Sequence, residues 1–136
     1  MSLAWPSRIL LVVVALIAGV VFGVAGTISH AFVWGILPVG LIVGAIGCAA
    51  VLLALRLLVP GRWATLAAGV GMVAALLVYS GEGPGGSVVV AAAADGEIPW
   101  GIIWTVTLIG IVLIALVWPE RVRRAPVQEA PRRIDE

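Results

Sequence analysis

The chain has 136 residues, of which 62% are apolar and 11% charged, where a soluble domain averages about 25% charged. A single domain of this size cannot hide so much apolar surface from water, so a soluble globular protein is excluded and lipid must act as solvent. The net charge of +1 excludes little by itself; the placement of the charges says more.

Four apolar stretches follow one another: 9–28, 32–58, 63–79 and 100–118. Each is long enough to cross the hydrocarbon as a helix. Lipid offers no water to the backbone, so helical hydrogen bonding overrides the weak helix propensity of the many valines. The first stretch follows Trp5-Pro6-Ser7-Arg8, and proline and serine suit a helix start. It is longer than the roughly 7–15 apolar residues of a signal peptide, so it reads as a span that is retained. A tight turn over 27–31 leads to the second span, where Pro38 is expected to kink the helix near its outer end. Arg56 lies within about one turn of that span's inner end, where its guanidinium is expected to snorkel to the headgroups. Pro60-Gly61 makes the inner turn, and the third span is the shortest. The connection over 80–98 opens with a glycine-rich turn. Its apolar run Val88–Ala94 is too short to span and is expected to tuck against the outer ends of the third and fourth spans. Pro99-Trp100 and Trp118-Pro119 bracket the fourth span. Residues 1–119 thus form one transmembrane domain, and 120–136 a polar tail expected to be disordered.

On this path every basic side chain falls on one side. There is no lysine; Arg8, Arg56, Arg62, Arg121, Arg123, Arg124, Arg132 and Arg133 share that side, while His30, Glu82, Asp95 and Glu97 fall on the other. The positive-inside rule then puts both termini in the cytoplasm. Trp5, Trp63 and Trp118 mark the inner boundary. Trp34 and Trp100 mark the outer one, and Trp104 and Tyr79 join that outer belt.

Little else carries chemistry. The glycines of 81–86 lack the lysine and hydroxyl residue of a phosphate loop. Glu82, Asp95 and Glu97 read as a solvated face rather than a cation site. Cys48, mid-way along the second span, reads as a small packing residue. No Asp, Glu, Lys or His lies in the middle of a span, where proton-coupled carriers generally hold an ionisable group. Four-span multidrug exporters of similar size depend on a glutamate in their first span, and this chain has none there. Only Thr65, Thr105, Thr107 and Cys48 offer polar atoms.

The positive signal is small residues at helical spacing. Gly19 and Gly23 make one G-x-x-x-G pair. Gly40 and Gly44 make another, which Gly47 continues. Such faces let backbones approach closely, and the short first connection suggests that they pack the first two spans against each other.

In length, four-span path, glycine-rich outer loop and arginine-proline tail, the chain resembles small four-span integral membrane proteins of actinobacteria whose families are uncharacterised. A composition rich in alanine, valine, glycine and arginine points the same way, since GC-rich codons favour these residues. The resemblance is one of architecture and transfers no functional residue. The expectation is an all-α four-helix bundle in a bacterial cytoplasmic membrane, needing no cofactor or metal. Its most plausible role is a non-enzymatic accessory or scaffold subunit, packed against itself or a larger membrane protein, with no nucleic-acid partner. The alternative is a small oligomeric carrier or channel.

Overall fold

The computed structural model describes residues 5–81 and 95–119. Outside them lie most of the glycine-rich connection, the run Val88–Ala94, Glu82, the tail, and Arg121, Arg123 and Arg124. The described residues form four helices and no strand: α1 (Trp5–Ser29), α2 (Val39–Leu58), α3 (Trp63–Ser80) and α4 (Trp100–Val117). All four are long and apolar enough to cross a membrane. Even the shortest, with 18 residues, reaches about 27 Å at 1.5 Å per residue, close to the hydrocarbon thickness.

The first connection differs from the expected one. α1 continues through Ser29, so no turn begins at Thr27. α2 starts at Val39 and not at Phe32. Between them the backbone folds on itself. Trp34 and Leu37 exchange hydrogen bonds of 2.9 and 3.1 Å, and the Gly40 N–H donates to the Phe32 carbonyl at 3.0 Å. Gly35, at φ 65°, supplies the left-handed conformation this turn requires. Pro38 therefore kinks nothing: it sits at the N-cap of α2, where its missing N–H costs no helical bond. Its carbonyl accepts the Ile42 N–H at 3.1 Å. Proline also disfavours the helical conformation of Leu37 before it, which is why the helix cannot extend backward.

The tightest packing joins α1 to α3. A β-carbon built at Gly19 would lie 2.6 Å from Ala68 Cα, and one at Gly23 would lie 2.7 Å from Met72 Cα. From the other side, a β-carbon at Gly71 would meet the Leu16 carbonyl oxygen at 2.6 Å. The pairs advance together along both chains, so α1 and α3 run parallel with their backbones touching. This corrects the pairing expected for Gly19 and Gly23, which do not face α2. The reason is complementarity: Ala64, Ala68, Gly71 and Ala75 give α3 a small-residue face matching that of α1. Gly40 and Gly44 do meet α1, at Ser29 and Gly26, in an antiparallel crossing. A β-carbon at Gly47 would meet only the Phe22 ring, at an ordinary 3.6 Å.

α4 packs on α2 and α3. The core comprises Ala15, Cys48, Leu52, Ala64, Ala68, Met72, Leu76, Trp104, Leu108 and Val112. Large apolar side chains such as Val43, Val78, Val106 and Val117 point outward, an arrangement that only an apolar solvent favours.

Candidate functional site

The helix directions put Arg8, Arg56 and Arg62 at one end of the bundle, and Asp95 and Glu97 at the other. Each end holds a polar arrangement that the helices position.

At the Asp95 end, α1 closes on a buried cluster. Trp104 of α4 is fully buried among Gly26, Gly44 and Thr27. Its indole N–H donates to the Thr27 hydroxyl at 3.2 Å. His30 stacks on the same indole, with ring centroids 6.1 Å apart and planes inclined by 15°. Its Nδ1 is hydrogen-bonded to the Thr27 carbonyl. The Ser29 hydroxyl donates to the Gly26 carbonyl at 3.2 Å and lies 3.4 Å from the Gly40 carbonyl. Trp104 is thus no belt residue. Gly101, Trp104, Leu108 and Val112 form the buried stripe of α4, a three- and four-residue spacing visible in the sequence. Trp5, Trp34 and Trp63 are well exposed, Trp118 moderately so, and Trp100 is half-buried.

At the arginine end, Arg56 is only 8% exposed. Its Nη2 donates to the Trp118 carbonyl at 2.7 Å. The guanidinium therefore turns sideways onto α4 instead of simply reaching outward. The last carbonyls of a helix lack partners and carry its negative dipole end, so a cation is favoured there. Beside this contact a groove of about 330 Å³ runs between α2 and α4, lined by Ala49, Leu53, Arg56, Ile111, Ile114, Ala115 and Trp118.

Between the two ends the buried side chains are mostly apolar. The Thr105 and Thr107 hydroxyls bond back to the Gly101 and Ile103 carbonyls at 2.9 and 2.7 Å. The Cys48 thiol faces the Phe22 carbonyl at 3.6 Å and is buried. Thr65 is the exception: its hydroxyl is buried without a hydrogen-bond partner among the described residues. Comparison with protein-family models, curated proteins and solved structures returned no match.

Proposed function

We propose that the chain is a non-enzymatic accessory or scaffold subunit of a bacterial cytoplasmic membrane, spanning it four times with both termini in the cytoplasm. One observation carries the reading: the α1 and α3 backbones meet at Gly19, Gly23 and Gly71. They leave an interior filled by Ala68, Met72, Leu76 and Leu108. A carrier needs polar groups along a path through the bundle, and the described hydroxyls are mostly spent on their own helices. What remains is a rigid apolar body whose outer faces suit a membrane partner or a second copy.

Mild detergent extraction is expected to copurify a membrane partner, or to yield a stable homo-oligomer, while the purified chain in liposomes moves no solute. Cys48 provides an internal check, since in native membranes it should resist a water-soluble maleimide and react once the protein is denatured. Solute flux by the isolated chain, together with fast labelling of Cys48, would replace this reading with the carrier.

The orientation is supported by Arg8, Arg56 and Arg62 standing opposite Asp95 and Glu97. A reporter active only outside the cytoplasm should work when fused near Ser87, and a fluorescent protein fused after Glu136 should glow. A silent reporter with a dark C-terminal fusion would reverse the assignment.

A further inference from the structure

The turn between α1 and α2 carries apolar side chains where a turn in water carries polar ones. It is a two-residue hairpin: Trp34 and Leu37 exchange both backbone hydrogen bonds across Gly35 and Ile36. Turns that face water favour glycine, proline, asparagine, aspartate and serine. Here Ile36 stands at the tip, 92% exposed, with Phe32, Trp34 and Leu37 well exposed beside it. The helices set its depth. The 20 residues of α2 cover about 30 Å, the thickness of the hydrocarbon, so the turn before Val39 lies at the edge of that layer. It is tied to both helices there: the Phe32 N–H donates to the Ser29 carbonyl at 2.9 Å, and the Phe32 carbonyl accepts the Gly40 N–H at 3.0 Å.

We propose that this turn is a membrane anchor, with Phe32, Trp34, Ile36 and Leu37 seated in the headgroup–acyl boundary of the leaflet at the Asp95 end. Continuity identifies lipid as the occupant. Ile28 at the end of α1, and Ile42 and Val43 at the start of α2, flank the turn and are exposed, and lipid covers such faces on any membrane bundle. A protein seated on the turn would have to displace that lipid on either side. The backbone agrees: its self-paired hydrogen bonds lower the cost of leaving water. Gly35 and Ile36 themselves exchange no backbone hydrogen bond among the described residues, so the tip stops at the boundary, where headgroup water reaches it. Interfacial elements bury their apolar side chains about 5–10 Å into this layer, and an indole such as Trp34 settles at the same depth. The inference is independent of the accessory role and of which end faces the cytoplasm. It needs only that the bundle lies in a membrane.

The test uses the full chain with Cys48→Ala, reconstituted in phosphatidylglycerol–phosphatidylcholine vesicles and carrying one nitroxide label on a cysteine introduced by Ile36→Cys. Collisions of the nitroxide with oxygen, which concentrates in lipid, are compared with collisions with a water-soluble nickel chelate. Val43→Cys on the exposed face of α2 supplies the lipid reference, and Glu97→Cys at the same end of the bundle supplies the water reference. Since Ile36 is almost wholly exposed, its label disturbs no packing. Oxygen should dominate over nickel at positions 36 and 43, with the order reversed at 97. A label at 36 as open to nickel as the one at 97 would place the turn in water and overturn the proposal. Shielding of position 36 from both reagents would overturn it as well, because protein would then cover the turn. Nickel access at Val43 too would remove the membrane reading along with the anchor.

Discussion

Replacing Gly19 with leucine is expected to destabilise the bundle by about 3 kcal/mol, the upper end of what overpacking costs. The cause is the partner atom. A β-carbon there collides with the backbone of Ala68, and a backbone inside a helix cannot rotate aside as a side chain does. α1 and α3 would have to separate along their length, forfeiting the packing that mainly drives helix association in lipid. Gly71→Leu should behave alike, since its β-carbon meets the Leu16 carbonyl and the Val20 nitrogen of α1. Gly47→Ala should cost little, because only the Phe22 ring stands near, at ordinary contact distance. Gly110→Ala should be neutral or slightly stabilising: nothing lies within 4 Å of its β-position, and alanine is the better helix former. Thermal unfolding in detergent ranks the four. A Gly110→Ala variant that melts as early as Gly19→Leu would show that glycine content, and not a packing face, sets the stability.

Particular residues show how far the fold could be read from sequence. The limits of α3 and α4 were legible because Trp63, Pro99-Trp100 and Trp118-Pro119 combine a breaker with an interface ring. The start of α2 was not. The run Phe32–Leu37 is as apolar as a helix, and hydropathy does not distinguish a folded apolar turn from the helix that follows it. Gly35 and Pro38 carried the missing signal, as a positive φ and an N-cap. Helix pairing was harder still. In water a polar face reveals which side of a helix points outward; here all faces are apolar, so the glycines of α1 announced a close contact without naming the partner. The matching face of Ala64, Ala68, Gly71 and Ala75 lies in the sequence, yet a short connection favours α2, the neighbour in sequence, over α3. Arg56 could be placed by depth at the inner end of α2, but its acceptor, the carbonyl at the end of α4, could not be named. Depth misled for Trp104, because a belt assignment uses position along the helix and ignores its azimuth.

That azimuth makes Trp104 the second decisive position. Trp104→Ala is expected to cost about 3–5 kcal/mol, the range for emptying a buried aromatic site. The indole fills the space against Gly26 and Gly44. Its loss also leaves the Thr27 hydroxyl without its donor and the His30 ring without its stacking partner. Trp104→Phe keeps part of the volume and removes the N–H, so it should retain part of the stability. Thr27→Val removes the acceptor from the same bond, and each single loss should cost on the order of 1 kcal/mol for the hydrogen bond alone. Combining Trp104→Phe with Thr27→Val should then cost less than the sum of the two, because the second change removes a bond already gone. Two exposed rings provide the control. Trp34 and Trp63 are 77% and 74% exposed, and alanine at either position should leave the melting temperature in detergent nearly unchanged. If Trp104→Ala melts with Trp34→Ala and Trp63→Ala, the indole is not the wedge between α1, α2 and α4. If the paired variant shows full additivity, the Trp104–Thr27 bond contributes nothing to closing that end of the bundle.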